Sequence, residues 1–487
     1  MTIQFNLNGR PTEISDIRSD ATLLNWLRND IDGYCGTKEG CAEGDCGACS
    51  VLISDQTVDG QPTWRVVNSC ILFVPSLHGR EVVTVEGLSQ PSCKLHPAQS
   101  AMVDTNGSQC GYCTPGFVMT LAEASHRQDL DAQWKLHDQL SGNLCRCTGY
   151  RPIRESLKLV AGSGPDDILA QRLPYTPKSL PSLNHKAGET SFWRPATLSE
   201  LLRLRTEHPD ALLLSGGTDL GLLKTKRHQA LPSLIATEGV AELKEFTETS
   251  DGLVIGASVP LSDLEKATEQ GWNPLARMLR FFGSRQIKHR ATVGGNLCNA
   301  SPIGDLAPVL LAYDASVTIA SAGRGSRTIP LNSFFRGYRE TALAADEVLV
   351  SVHIPRVSPK TRMSSYKLSR RREMDISAVS AGLRVELAED NQITTLRLCF
   401  GGVGATPIQL NEVETKWTGS QWDEQTVLSI AKDVDEAIKP ISDHRATESY
   451  RRKLVHNFIR GFYFETRDIA QPLLPEHPGS SFDEAQL

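Results

Sequence analysis

The sequence contains no apolar run approaching the roughly 18 to 20 residues that a bilayer-spanning helix needs. Its opening, Met1-Thr2-Ile3-Gln4-Phe5, has neither the basic stretch nor the apolar stretch of a secretory signal. These absences predict a cytoplasmic protein with no membrane contact. Basic charge is also not in excess: Lys+Arg 51 against Asp+Glu 57 leaves a formal charge of -6, which removes the general electrostatic reason to bind nucleic acid. There is no internal repeat, no low-complexity tract, no G-x-G-x-x-G and no Walker A motif, so a solenoid, a Rossmann domain and a P-loop have little support. With 487 residues, two to four domains are expected.

Cysteine is scarce in most of the chain, where only Cys298 and Cys399 follow Cys147, yet ten of the 12 cysteines lie between Cys35 and Cys147. In a reducing compartment clustered thiols more often bind metal or carry electrons than form disulfides.

Hydrophobic patterning divides the chain. Residues 2–7 alternate polar and apolar, Asn8-Gly9 is a hairpin turn and Thr12-Glu13-Ile14 starts the return strand. Asp20 can cap a helix over 21–31, and the short β-branched stretches at 51–53, 66–67 with 70–73, and 82–85 read as strands. This gives a small α+β unit over 1–88. Four helical stretches follow at 98–103, 115–127 (Pro115 first, Thr114 as cap), 131–140 and 153–160, making a helical unit over 89–160. Residues 161–185 hold four prolines and no apolar period, which reads as a linker. Beyond it, strands (211–214, 253–255, 317–319, 348–354) alternate with helices (261–269, 274–282), predicting α+β domains at 186–358 and 359–470. The tail, 471–487, is expected to be mobile or laid on a partner.

Cys41, Cys46 and Cys49 are spaced C-x4-C-x2-C, with Cys70 after another 20 residues. This is the plant-type [2Fe–2S] ferredoxin spacing. Gly36, Gly40, Gly44 and Gly47 crowd the loop, as expected where backbone must curl around a compact cluster and aim N–H groups at sulfur. The alternatives are a zinc site or unconnected thiols, but zinc spacings rarely place x4 beside x2. The spacing of Cys35 fits neither scheme. A second set, Cys110-Gly111-Tyr112-Cys113 with Cys145-Arg146-Cys147, suits zinc or iron–sulfur equally well when taken alone; a neighbouring ferredoxin-like domain favours a second [2Fe–2S] cluster.

Three segments carry a family resemblance: Gly36 through Cys49, Gln109 through Gly116, and Gly142 through Ile153. They are similar to the iron–sulfur domains of the molybdenum hydroxylases. The resemblance implies a β-grasp plant-type ferredoxin domain whose cluster is held by Cys41, Cys46, Cys49 and Cys70. It also implies a four-helix [2Fe–2S] domain whose cluster is held by Cys110, Cys113, Cys145 and Cys147.

A wire of one-electron clusters that ends on a nicotinamide needs a cofactor stable after one or two electrons, and flavin is such a cofactor. Leu213-Leu214-Ser215-Gly216-Gly217-Thr218-Asp219-Leu220 follows a strand, and Thr292-Val293-Gly294-Gly295-Asn296 precedes Ser301-Pro302-Ile303-Gly304-Asp305. Gly-Gly after a strand is a weak signal alone, since most such pairs are plain turns. Both segments resemble the FAD-binding domain of the same family, as do residues 281–288, 334–338 and 371–376. The resemblance implies that Leu213 to Leu220 hold the FAD pyrophosphate, that Phe282 packs on the flavin, and that Thr292, Asp305, Leu349 and Lys367 complete the contacts. A core aromatic is the alternative for Phe282, and a solvated basic face is the alternative for Lys367 with Arg370, Arg371 and Arg372.

The domain order, iron–sulfur, iron–sulfur, FAD, resembles that of xanthine dehydrogenases, whose fused members continue into a long molybdopterin portion. The resemblance therefore implies an electron-transfer subunit of an α2β2 or higher heteromer with a molybdopterin-binding large subunit. Hypoxanthine and xanthine would be oxidised in that partner, and electrons would leave from FAD to NAD. An aldehyde- or carbon monoxide-oxidising relative and a zinc-stabilised interaction protein are the alternatives. No catalytic acid, base or nucleophile is expected in this chain.

Overall fold

In the strand Ser50–Gln56, Val51, Leu52 and Ile53 are all fully buried, because this strand faces a core on each side. The computed structural model describes residues 1–89, 94–164 and 166–467. Cys93, Pro165 of the linker, residues 468–470 and the 471–487 tail lie outside the described residues. The first sheet contains β1 (Ile3–Leu7), β2 (Arg10–Ile14), β3 (Ser50–Gln56), β4 (Pro62–Asn68) and β5 (Glu81–Val83), in the order β2-β1-β5-β3-β4. Only β1 and β5 run parallel. With helix α1 (Leu23–Asn29) across one face, this is a β-grasp.

Two local details differ from the sequence expectation. Thr22, not Asp20, caps α1 through the Asn25 amide, because Asp20 is buried and already taken by ion pairs to Arg18 and Lys224 at 2.9 Å each. Residues 70–73 do not form a strand: a 3-10 turn spans Ser69–Ile71, and the Ser69 amide and hydroxyl both bond the Cys49 carbonyl, at 3.2 and 2.7 Å.

Leu52, Trp64, Val66 and Val83 leave the sheet on its far side and join a core with the helical segment. That segment comprises α2 (Pro97–Asp104), α3 (Thr114–His126), α4 (Gln133–Ser141) and α5 (Arg151–Val160). Thr114 does not cap α3. Cys113 occupies the cap position without a side-chain bond, and the Thr114 hydroxyl pairs with Ser108 Oγ at 2.7 Å. The proline-rich stretch is more ordered than a free linker. Asp167 caps α6 (Ile168–Arg172) through the amides of Leu169 and Ala170, and Leu169 is fully buried, worth about 1.5 to 3 kcal/mol by transfer. Trp64 Nε1 donates to the Leu169 carbonyl at 3.1 Å.

The near side of the first sheet meets a second, four-stranded sheet. Its strands are β6 (Leu183–Ala187), β7 (Thr190–Arg194), β8 (Leu212–Leu214) and β9 (Leu234–Ala236), in the order β6-β7-β9-β8, with helix α7 (Leu198–Glu207) between β7 and β8 in the chain. Ile3, Phe5, Val51, Phe73, Phe192, Leu214 and Leu234 share one core, so the ferredoxin-like segment and the start of the flavin-like segment fold around common side chains. The chain divides into two compact units. Among the described residues, 1–245, 258–263 and 283–292 form the first; 246–257, 264–282 and 293–467 form the second. The stretch expected as one FAD-binding domain, 186–358, is thereby divided between them.

The second unit holds a five-stranded antiparallel sheet in the order Phe246–Glu248, Gly252–Gly256, Val348–Pro355, Ser316–Ser321, Gly325–Pro330. It also holds an antiparallel meander of Arg362–Leu368, Val379–Leu387, Ile393–Gly401 and Ile408–Gln409. Helices Glu424–Ala437 and Glu448–Thr466 bury Val427, Ile430, Val434, Leu454 and Phe462 in one core with Leu383, Val385, Leu398 and Phe400 of that meander. Helix Leu306–Ala312 lies so close that a Cβ on Gly382 would stand 2.3 Å from the Pro308 carbonyl oxygen. Among the described residues no helix is long and apolar enough to cross a membrane.

Candidate redox-cofactor sites

The loop before β3 is bent by left-handed backbone at Ala42, Gly44 and Gly47. This turns consecutive amides inward: the N–H groups of Glu43, Asp45 and Cys46 point at Cys41 Sγ, 3.3 to 3.4 Å away, and the Cys41 N–H points at Cys46 Sγ, 3.3 Å away. The contact with Cys46 and these amides hold the Cys41 thiol down at about 5 despite burial. Cys49 and Cys70 are buried with their sulfurs 3.3 Å apart, brought together by the Ser69 bonds described above. The four thiols expected to form one set therefore converge, with amides aimed at sulfur as a thiolate-bound cluster requires. A Cβ on Gly40 would sit 2.7 Å from Cys46 Sγ, inside the space that a cluster needs. Cys35 is exposed.

The second set converges between the N-terminal ends of α3 and α5. Cys113 contacts Cys145, and Cys110 contacts Cys147. Burial, with the Cys145 contact, pushes the Cys113 thiol up to about 12. Thr148 donates to Cys145 Sγ at 3.2 Å, and the Tyr150 hydroxyl accepts the Cys145 amide at 3.0 Å.

The two loops are stitched directly to each other. The Leu144 amide donates to the Cys46 carbonyl at 3.0 Å. Asn143 Nδ2 reaches the Gly47 carbonyl at 3.2 Å, and the Tyr112 hydroxyl bonds the Glu39 carbonyl. Gln286 donates to Asn143 Oδ1 at 2.9 Å, as does Thr120 at 2.7 Å. Asn143 and Gln286 lie in segments that carry the resemblance, but nothing in the sequence singles them out, because their importance arises from four distant segments meeting at one buried point.

The Ser215-Gly216-Gly217-Thr218 turn lies between β8 and helix α8 (Leu220–Thr225), which follows Asp219. Gly217 has φ +79, and a Cβ on Gly216 would meet the Arg290 carbonyl oxygen at 1.7 Å. Glycine here lets two backbone turns touch. Ser215 Oγ and Thr292 Oγ1 are 2.9 Å apart, so these two expected residues are neighbours. Helix α8 then links the turn to the first cysteine set. Gly221 packs on Ile71, where a Cβ would stand 2.6 Å away. Thr225 Oγ1 donates to the Ala42 carbonyl at 2.6 Å, and Lys226 Nζ donates to the Cys41 carbonyl at 3.2 Å.

In the second unit, Lys367 Nζ and Asp305 Oδ2 form a buried ion pair at 2.8 Å. Ser377 donates to Asp305 at 2.5 Å, and Lys367 donates to the Phe281 carbonyl at 2.9 Å. Lys367 is thus held in place, whereas Arg370 and Arg371 are exposed. Phe282 is half-buried and Leu349 is buried in strand Val348–Pro355. Asn296 Oδ1 is buried without a hydrogen-bond partner, a vacant acceptor suited to a polar ligand. Sequence reading missed Ser377, an ordinary serine until the fold sets it beside Asp305.

Comparison with known proteins identifies the domains that carry these residues. Residues 187–357 match the FAD binding domain in molybdopterin dehydrogenase, residues 364–466 the CO dehydrogenase flavoprotein C-terminal domain, and residues 84–158 a [2Fe-2S] binding domain. The xanthine dehydrogenase/oxidase of Rattus norvegicus is 32% identical over 94% of this chain, and the xanthine dehydrogenase of Emericella nidulans is 32% identical over 95%. The chain spans 38% of the length of each. Among solved structures, carbon monoxide dehydrogenase from Hydrogenophaga pseudoflava matches 56% of this chain and 95% of its own, with TM-score 0.53 and 22% identity. Quinoline 2-oxidoreductase from Pseudomonas putida 86 matches 57% and 97%, with TM-score 0.51 and 25% identity. With iron–sulfur and flavin domains in this order and full-length homology to one part of the xanthine dehydrogenases, the chain belongs to the molybdenum hydroxylase family.

Proposed function

We propose that this chain is the electron-transfer subunit of a xanthine dehydrogenase, working with a molybdopterin-binding partner chain in an α2β2 or higher heteromer in the cytoplasm. Purine oxidation takes place in the partner and NAD is the final acceptor. When bound, two [2Fe–2S] clusters relay single electrons and FAD turns pairs of them into a hydride. Cys110, Cys113, Cys145 and Cys147 hold one cluster, and Cys41, Cys46, Cys49 and Cys70 hold the other. The turn over Leu213 to Leu220, with Thr292, receives the FAD pyrophosphate. Phe282, Asp305, Leu349 and Lys367 are the remaining proposed FAD contacts.

One observation carries the reading: the two cysteine sets and the Gly216–Gly217 turn follow one another within the first unit. The Leu144–Cys46 bond joins the two cysteine loops, and α8, six residues and about 9 Å long, runs from the Gly216–Gly217 turn to the Cys41 loop. Sequence likeness to xanthine dehydrogenases over nearly the whole chain favours this reading over a carbon monoxide-oxidising one, whose matched chain aligns with little more than half.

The test is to purify the chain with its partner and measure iron, acid-labile sulfide and flavin, about four irons and one FAD per chain being expected. Anaerobic xanthine should bleach the visible spectrum, and added NAD should restore it. Stoichiometric zinc without labile sulfide would sink the proposal. Bleaching by an aldehyde but not by purines would move it to a related hydroxylase.

A further inference from the structure

Within the first unit lies a cavity of about 340 Å³, at the lower end of small-ligand pockets, roughly 300 to 1,000 Å³. Its wall reaches Ser215 and Thr292 but not Gly216 to Thr218, so it lies beside the candidate flavin turn. Besides Glu245 at the rim, three carboxylates line it: Asp55, Glu238 and Asp263. Each is already claimed. Arg80 bridges Asp55 and Glu238 at 2.9 and 3.1 Å, Arg290 reaches Glu238 at 2.9 Å, and Arg65 reaches Asp263 at 2.9 Å and Asp55 at 3.2 Å. Arg194 stands 3.7 Å from Glu238.

Lys244 also lines the cavity and makes no hydrogen bond or contact ion pair among the described residues. Arg80, Arg290 and Lys244 thus line the space with these carboxylates, while Arg65 and Arg194 pair with them from outside the lining. At the rim, exposed Lys178 and Glu245 cancel. His289 is held neutral by burial and by Arg285 and Arg65. A second polar group is also unspent, since Thr176 Oγ1 is buried in the wall without a partner.

Counted with Arg65 and Arg194, five cations surround Asp55, Glu238 and Asp263, and a half-buried ammonium without a contact ion pair beside a buried free hydroxyl favours an anion there. Burial also lowers the Lys244 pKa, as expected for an ammonium without a contact counter-ion. We propose that this cavity binds a phosphate dianion, supplied either as inorganic phosphate or as the phosphate group of a mononucleotide. Lys244 and Thr176 are its donors and the Arg80–Arg290 pair supplies the surrounding field. The cavity is much larger than a bare oxyanion, and Val58, Leu180 and Val259 give it an apolar side, which suits a nucleoside attached to that phosphate.

The proposal does not depend on the redox assignment and is tested separately from it. FAD-loaded full-length protein is titrated at constant ionic strength with inorganic phosphate, and in parallel with adenosine 5′-monophosphate, by calorimetry and thermal melting. Saturable binding and a rising melting temperature are expected. Lys244→Met should weaken binding at least tenfold while changing the melting temperature in phosphate-free buffer far less than Arg80→Met, because Lys244 makes no contact ion pair there, whereas Arg80 pairs with Asp55 and Glu238. Lys244→Arg should retain binding, and Thr176→Val should weaken it. Binding of the mononucleotide alone identifies the nucleotide as the source, and equal binding of both identifies free phosphate as sufficient. Absence of saturable binding, binding indifferent to Lys244→Met, or phosphate binding seen only in FAD-free protein would each overturn the proposal, the last by making the cavity part of the flavin's own pocket.

Discussion

Replacing Gly216 by alanine tests whether the turn after β8 works by close approach of backbone. The added Cβ would stand 1.7 Å from the Arg290 carbonyl oxygen, 2.4 Å from its carbon and 3.0 Å from the Ala291 nitrogen. Ordinary contact begins near 3.4 Å, and the obstructing atoms are backbone, so no side chain can rotate away. The 283–292 segment must move, and it is anchored by Lys288 on Asp138 at 2.9 Å and by His289 on the Val66 carbonyl at 2.9 Å. The expected cost is about 3 kcal/mol, the upper end of the range for overpacking. Gly217→Ala is the control. Its Cβ meets only Leu214 Cδ1 inside 3.4 Å, at 3.3 Å, and the change mainly carries the left-handed strain at φ +79, about 1 kcal/mol. Urea melts followed by far-UV circular dichroism, with flavin counted by fluorescence after release, should show the larger midpoint loss and the lower FAD content in Gly216→Ala. Wild-type stability and full flavin in Gly216→Ala, or a greater loss in Gly217→Ala, would refute the close-approach argument.

Cys46→Ala should remove one iron–sulfur signal in paramagnetic resonance and spare the other, because the Leu144 amide bonds the Cys46 backbone carbonyl, which alanine keeps; Cys35→Ala should change neither signal. Asn143→Ala removes the acceptor shared by Thr120 and Gln286 and the donor to Gly47. It should lower stability by roughly 2 kcal/mol or more, and an unchanged melting curve would dismiss the network. Burial pushes the Glu238 carboxyl up, but Arg290, Arg80, Arg194 and Lys244 outweigh it and hold the group at about 2 against an ordinary 4.5. A depressed carboxyl stabilises fully above its ordinary value and loses that contribution as pH falls toward 2. Roughly 3 kcal/mol should therefore vanish across that window, and Glu238→Gln should flatten the pH dependence of the urea midpoint there.

What the sequence determined by itself was the local and the chemical. The C-x4-C-x2-C spacing, the glycine-laden loop, the Asn8-Gly9 hairpin and the period of the four helices each depend on neighbours within a few turns of chain, and all were legible. The first thiol set was legible from its spacing, whereas the second, whose spacing suits zinc equally well, was legible only beside the ferredoxin-like domain and through the family resemblance. Tertiary structure decided the rest, because it concerns residues that meet from far apart. The cap of α1 moved from Asp20 to Thr22 when Lys224, some 200 positions away, claimed the carboxylate. The proline-rich stretch became ordered because Leu169 found a core and Asp167 found His96 and His126. Gln286 meeting Asn143, Ser377 meeting Asp305, and the cations gathered around Asp55 and Glu238 have no periodicity or motif that could announce them. Such pairings are chosen by which buried polar groups need a partner once the sheets have packed.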